Sequence, residues 1–211
     1  METLAKKMAQ SIGRSLGKND EEIAVIAYGL IGILQFLTIF ILSSVIGLLF
    51  GFWIEVATVF LSVGFLRRLT GGAHSSGIYS CLVYSVFFVC SISAISHFLL
   101  IQLPWQINLA LFVLIFAFGY ITVALKAPVT PPNKPCRTEE KRRRLRRGSF
   151  IVLTLFLLAS VLCSVLGHLW IARFYSVGLS LMLSTLWQIT MMTALGRGFV
   201  SLIDGLFAPK K

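Results

Sequence analysis

The amino-acid sequence predicts an all-α, polytopic membrane protein with six transmembrane helices and an N-terminal amphipathic in-plane helix. Of the 211 residues, 57% are hydrophobic and only 13% are charged, and the mean hydropathy is +0.88. Soluble domains carry about 25% charged residues. A helix needs ~20 apolar residues to cross a bilayer, and several stretches of this chain reach that length. We therefore expect a single membrane domain over residues 1–211.

The N-terminal segment, residues 1–18, has the pattern of a membrane-surface helix. Leu4, Met8 and Ile12 fall on one helical face, and lysines and an arginine fall on the opposite face. Such a helix lies in the interface with its apolar side in the lipid; a frayed basic tail is the alternative. Asn19, followed by three carboxylates, is a typical helix start, because the cap and the negative charges suit the positive end of a helix. The first span should begin just after it.

Apolar runs and turn residues divide the rest of the chain into six spans. The predicted spans are residues 23–50, 53–69, 78–101, 107–125, 149–170 and 174–195. Gly51-Phe52-Trp53 marks the first reversal, and Glu55 beside it is predicted to be a solvated turn residue, with a functional role as the alternative. Residues 126–148 form a long basic loop, and residues 196–211 form a tail.

The lysines and arginines predict the orientation. With the N-terminus inside, Arg173 is the single one of the 19 that falls on the outer side. Cytoplasmic loops are enriched in these residues, so we expect both termini in the cytoplasm of a multi-pass protein. The net charge of +11 could also suggest nucleic acid, but no nucleic-acid-binding motif accompanies it. We expect membrane lipids, and no nucleic acid, as partners of these charges.

The cysteines and the isolated histidines give little evidence of a metal site. The four cysteines form no CxxC pair, which argues against a disulfide framework or a zinc site. Packing inside the spans is expected for Cys90 and Cys163, and Cys136 in the basic loop has no neighbouring histidine. Interfacial positions at the outer side are expected for His97 and His168. We predict no metal ion and no cofactor.

Residues 67–81 contain the candidate catalytic residues of this chain. The run RRLTGGAHSSGIYSC places His74 and Cys81 between two spans. A thiol and an imidazole are the minimum set for thiol nucleophilic catalysis. In one straight helix a seven-residue separation would be ~10 Å along the axis, too far for a hydrogen bond. A helix should therefore begin between them, with Cys81 in its first turns, where the helix N-terminus favours thiolate. From spacing alone, an interfacial histidine and a small buried cysteine remain an alternative.

The same run resembles the accessory gene regulator B family of bacterial quorum-sensing peptidases. The resemblance extends to the amphipathic N-terminus, the six-span layout and the Ala127-Pro128 and Asn133-Lys134-Pro135 elements of the basic loop. It implies a cysteine endopeptidase of the bacterial cell membrane that removes the C-terminal tail of a small amphipathic propeptide. The retained acyl-enzyme is then captured by a side chain of the peptide, which closes a thiolactone or lactone ring.

The resemblance also assigns residues and partners. It implies Cys81 as nucleophile, His74 as general base, and Arg67 and Gly72 as further motif positions, in catalysis and substrate binding respectively. The basic loop would bind the acidic tail of the propeptide through Lys134, Arg142, Arg143 and Arg144; a purely topological role is the alternative. A homodimer is implied as well. A non-enzymatic peptide exporter, or an adaptor that binds an anionic partner, is the competing function.

Overall fold

A computed structural model describes residues 2–73, 77–129 and 138–207. These residues form eight α-helices, and their one β-contact is a single bridge between Gly71 and Val129. The helices are α1 (Glu2–Ser15), α2 (Asp20–Leu49), α3 (Trp53–Thr70), α4 (Ile78–Ala94), α5 (Trp105–Lys126), α6 (Glu139–Leu169), α7 (Ala172–Met191) and α8 (Ala194–Phe207). A π-helical segment (Ile95–Leu99) and a 3-10 turn (Leu100–Gln102) extend α4. The chain is an all-α polytopic membrane protein.

The N-terminal half confirms the local predictions. Asn19 caps α2: its side chain accepts a hydrogen bond from the backbone of Glu22, whose carboxylate reaches back to the cap. Gly51 turns the chain between α2 and α3 with a φ of +82°. Helix α1 is amphipathic as predicted and buries Ala5, Ala9 and Gly13. It contacts the first turns of α2, and its placement in the membrane plane stays a prediction.

Four helical segments in the described part of the chain are long and apolar enough to cross a membrane. They are Asp20–Leu49, Ile78–Gln102, Trp105–Lys126 and Glu139–Leu169. A fifth arises if α7 and α8, which are bent by 82°, count as one span. Helix α3 has only 18 residues, among them Glu55, Arg67 and Arg68. The predicted count of six is therefore only partly supported by length and composition.

The polar character of α3 and α7 follows from their central position. Both helices contribute to the two hydrophobic clusters of the core, one with α5 and α6 and the other with α2 and α4. In the apolar stretch of 18 residues that could cross the membrane, only 6% of the residues of α2 and 11% of those of α6 are buried within the protein. Helices that face lipid need apolar surfaces, whereas central ones can bury polar groups against each other.

The structure corrects two predicted boundaries. Helix α6 begins at Glu139, so the second part of the predicted loop 126–148 is helical, and its arginines extend the fifth predicted span. The predicted tail 196–211 contains α8, which packs Phe199 against Phe88 and Trp187. Both segments lack a long apolar run, and polar or amphipathic helices of this kind are easily mistaken for loops.

The prediction of a solvated Glu55 is wrong. Its side chain is only 2% exposed, and its Oε1 atom accepts a 2.5 Å hydrogen bond from the Ser176 hydroxyl of α7. The Nδ1 atom of His97, in the π-helical segment, lies 2.8 Å from the same oxygen. His97 is thus part of an interhelical polar contact instead of a simple interfacial residue. A turn glutamate is buried here because two other helices supply its partners.

We expect Glu55→Ala to destabilise the protein, because it removes the acceptor that links Ser176 of α7 and His97 to α3, although the Ser176 hydroxyl keeps a second acceptor in the Arg173 carbonyl. A hydrogen bond contributes about 0.5–1.5 kcal/mol net to stability, so the loss of these interhelical contacts should lower the midpoint of thermal unfolding in detergent. Glu55→Gln, which keeps an acceptor oxygen, should lose less. Glu139→Ala is the matched control, since that carboxylate is 87% exposed. A midpoint for Glu55→Ala equal to that of Glu139→Ala would contradict this account.

Candidate functional site

The C-terminal end of α3 leads into a fixed segment, residues 70–73, which we call the strap. Helix α3 ends where Gly71 adopts a φ of +71°, a conformation that favours glycine. The backbone N–H of Val129, just after α5, donates to the Thr70 carbonyl at 2.8 Å. A Cβ atom on Gly71 would lie 1.9 Å from the Val129 carbonyl oxygen. Only glycine therefore permits this close approach of the two backbones.

The strap continues along α7. The backbone N–H of Ala73 donates to the Met191 carbonyl at 3.0 Å, and the guanidinium of Arg67 donates to the Ala73 carbonyl. Gly72 is buried between these contacts with a φ of +137°. The structure thus gives Arg67 and Gly72 clear roles in shaping the strap, while their predicted roles in catalysis and substrate binding stay predictions.

Cys81 lies where the sequence predicted. The first residue of α4 is Ile78, so a helix does begin between His74 and Cys81. The Cys81 N–H donates to the carbonyl of the N-cap residue Gly77 at 3.0 Å, which places Cys81 in the first turn of α4. His74 itself lies outside the described residues, between Ala73 and Gly77.

Tyr84 is a neighbour of Cys81 that sequence reasoning missed. Its hydroxyl lies 3.9 Å from the Cys81 sulfur, and its side chain is buried. Tyr84 follows Cys81 by three residues on one helix, a spacing that puts two side chains on the same face. That spacing was the one available signal in the sequence.

The start of α4 is also covered by α8. The Oδ1 atom of Asp204 lies 3.3 Å from the Ser80 hydroxyl, next to Cys81. The aromatic contacts of Phe199 hold α8 in this position, since its ring lies 5.1 Å from Phe88 and 5.7 Å from Trp187. The C-terminal helix is therefore part of the surroundings of the cysteine.

A basic cavity adjoins the strap. The first turns of α6 and the end of α3 enclose a cavity of about 950 Å³, with Arg143 and Arg144 among the lining residues. Leu69 of α3 also lines it, and a Cβ atom on Gly148 would lie 3.2 Å from this leucine. Arg142 is exposed on the same helical turns, whereas Lys134 and Cys136 lie outside the described residues. The fold thus brings two of the predicted substrate-binding arginines next to the motif.

The other candidate residues fall elsewhere. Cys90 lies within α4 and Cys163 within α6, both partly buried, as expected of cysteines inside spans. His168 lines a mostly apolar cavity with Trp105 and Tyr175. Among residues 2–73, 77–129 and 138–207, no three His, Cys, Asp or Glu side chains are grouped so that they could hold a metal ion.

Comparisons with known proteins agree with the resemblance seen in the motif. The family model described as accessory gene regulator B (AgrB) matches residues 5–192. An AgrB-like protein of Clostridium perfringens strain SM101 is 30% identical over 206 residues, which cover 97% of this chain and 96% of the relative. An AgrB-like protein of Halalkalibacterium halodurans is 30% identical over 168 residues, covering 79% and 80% of the two chains. No solved structure matches this chain.

Proposed function

Because this chain belongs to the accessory gene regulator B family, whose members are membrane peptidases that process precursors of autoinducing peptides, we propose that it is a cysteine endopeptidase with Cys81 as nucleophile. The observation that carries the proposal is the position of Cys81 in the first turn of α4, beside Tyr84 and eight residues after the end of the strap.

The reaction proceeds through a thioester. His74 takes the proton of the Cys81 thiol, and the sulfur attacks the carbonyl carbon of the scissile peptide bond. The C–N bond then breaks, and the departing amine, on the C-terminal tail, takes the proton from His74. The N-terminal part of the propeptide stays bound to Cys81 as an acyl-enzyme. Once the Cys81 sulfur has lost its proton and is negatively charged, the Tyr84 hydroxyl donates a hydrogen bond to it.

The second step releases the product as a ring. A thiol or hydroxyl of the bound peptide attacks the thioester carbonyl, its proton passes to the Cys81 sulfur, and a thiolactone or lactone forms. Exchange of one thioester for another nearly conserves bond energy, so thiolactone closure requires no nucleotide. The substrate is therefore a peptide that carries an internal nucleophile and a removable C-terminal tail.

The basic cavity provides a binding site for an acidic tail. Lys141, Arg143, Arg144 and Arg147 line it, against two glutamates. Because Leu69 forms one wall of the cavity, a tail held there would lie close to the end of α3, where the strap begins. Arg142 and Lys134 are assigned to the same role. A homodimer, which the family resemblance implies, is part of the proposal as well.

We also propose six spans with both termini in the cytoplasm. Three contacts of α3 with α7 occur in the same order along both helices: Glu55 with Ser176, Ser62 with Ser184, and Thr70 with Gln188. The two helices are therefore parallel. Parallel helices separated by α4, α5 and α6 fit an alternating series of crossings in which α3 and α7 are both spans. The excess of cations at one end of this series marks the cytoplasmic side.

The chemistry predicts a covalent intermediate. Purified protein in liposomes, incubated with its propeptide, should form an adduct whose mass equals the protein plus the propeptide without its tail, labile to hydroxylamine as thioesters are. Cys81→Ala should abolish both the adduct and cleavage, whereas Cys90→Ala and Cys163→Ala should retain them. His74→Ala should slow acylation ~100-fold or more, the usual effect of losing a general base.

Tyr84→Phe tests the supporting residue in the same assay. A hydrogen bond to a charged group contributes about 1.5–3 kcal/mol, so its loss should slow acylation at least ~10-fold without abolishing it. Full cleavage by Cys81→Ala would end the peptidase proposal and favour an exporter or adaptor instead.

The orientation predicts which engineered cysteines react from outside. In a background without the natural cysteines, a cysteine introduced at Gln102 or Gln106 should be labelled by a membrane-impermeant thiol reagent in intact cells. Both positions are exposed, one after α4 and the other at the start of α5. A cysteine at Arg143 should react only after the membrane is opened. Labelling of Arg143→Cys in intact cells would contradict the proposed orientation.

The basic cavity predicts a salt-dependent binding step. Replacing Arg142, Arg143 and Arg144 by glutamine should weaken propeptide binding and reduce its sensitivity to salt, because salt screens exposed charges. The matched control replaces Lys6, Lys7 and Arg14 of α1, which removes the same charge from another exposed helix. If the two variants process the propeptide at equal rates and with equal salt dependence, the three arginines of α6 have a topological role only.

A further inference from the structure

Gln188 of α7 is a fully buried polar residue far from the motif in sequence. Its side chain is 0% exposed, and its Nε2 group donates to the Thr70 hydroxyl at 2.9 Å and to the Gly71 carbonyl at 2.7 Å. Both partners belong to the strap. The Gly71 carbonyl can only accept, and the Thr70 hydroxyl lies within donating distance of the Leu66 carbonyl at 2.9 Å. The amide nitrogen of Gln188 must therefore face the strap.

A second contact of α7 fixes the other end of the strap. Met191 follows Gln188 by three residues, so the two lie on the same face of α7, and the Met191 carbonyl accepts from the Ala73 N–H at 3.0 Å. Between these points, a Cβ atom on Gly72 would lie 3.4 Å from the Met191 carbonyl oxygen and 3.6 Å from Gln188 Nε2. The strap thus follows the surface of α7 from residue 70 to residue 73.

The other amide atom of Gln188 is less well satisfied. Its Oε1 is buried and has no hydrogen-bond partner among the described residues. A buried acceptor without a partner costs free energy, so an apolar residue of similar size would suit the packing of the two helices better. The advantage of glutamine at this position must therefore come from what its amide nitrogen holds.

We infer that Gln188 is a positioning residue of the active site, which sets the place of the strap and hence of the general base relative to Cys81. This inference rests on the proposed function. His74 directly follows Ala73, and only three residues separate Ala73 from the N-cap of α4. A displaced strap would therefore move Ala73, the residue to which His74 is bonded in the chain, whereas Cys81 would stay in place on α4. A misplacement of about 1 Å can cost ~100-fold in rate.

The test compares Gln188→Leu with Ser184→Ala. The Ser184 hydroxyl makes a buried 2.6 Å hydrogen bond with Ser62, also between α3 and α7 but away from the strap. In liposomes, Gln188→Leu should slow thioester formation with the propeptide at least ~10-fold while propeptide affinity stays within about twofold. Ser184→Ala should keep both values. The pH dependence of the rate at which Cys81 is alkylated should also be measured. In Gln188→Leu it should shift toward the pH dependence seen in His74→Ala.

Hydrogen exchange gives a readout that does not depend on activity. Amides of residues 71–73 should exchange faster in Gln188→Leu than in Ser184→Ala. If Gln188→Leu does not insert or fold, Thr70→Val, which removes one acceptor of the same amide, replaces it in every measurement. Amide exchange of residues 71–73 that is the same in Gln188→Leu and Ser184→Ala would overturn the inference. It would also be overturned if Gln188→Leu lost acylation and propeptide affinity together while the pH dependence of Cys81 alkylation kept its wild-type shape. Absence of the thioester in the wild-type protein would instead overturn the proposed function, and exchange would still decide whether Gln188 holds the strap.

Discussion

The buried polar contact between α3 and α7 is the constraint on which the rest of the structure depends. Glu55 meets Ser176 at one end, Ser62 meets Ser184 in the middle, and Thr70 meets Gln188 at the other end. The serine and threonine hydroxyls also have acceptors within their own helices, but Glu55 and the Gln188 amide would lose their partners on the facing helix if either helix slid or rotated, and inside a membrane protein no water could replace them. Hydrophobic packing alone is not directional. The polar pairs therefore set the register of the two central helices.

The remaining helices are arranged around this pair according to what they face. Helices α2 and α6 expose long apolar surfaces, whereas α3 and α7 bury several polar side chains, among them Glu55, Ser184 and Gln188, within the protein. Helices α6 and α7 approach closely because Gly178 leaves room: a Cβ atom there would lie 2.8 Å from the Ser160 carbonyl oxygen. Small residues allow such close helix packing in membranes. A central pair with fixed register thus gives the outer helices defined surfaces to pack against.

The same register places the candidate site. The end of α3 and the end of α7 meet where the strap leaves α3, so the strap can bond to both helices before the chain enters α4. Cys81 then lies in the first turn of α4, with Tyr84 one turn further on, and the basic turns of α6 lie beside Leu69. Residues from four helices are brought to one end of the bundle. The chemistry that we propose requires this convergence as well as the motif residues themselves.

Features of the chain that depend on neighbouring residues could be predicted before the fold was known. The apolar runs, the cap at Asn19, the turn at Gly51 and the helix start before Cys81 could all be predicted, because each is encoded within a few residues. The motif also predicted the family. Only the tertiary structure decided the burial of Glu55, the helical form of the basic segment and the contacts of Gln188. The partners of Glu55 and Gln188 on the facing helix are about 120 residues away in sequence, and a distant partner leaves no local pattern from which burial could be predicted.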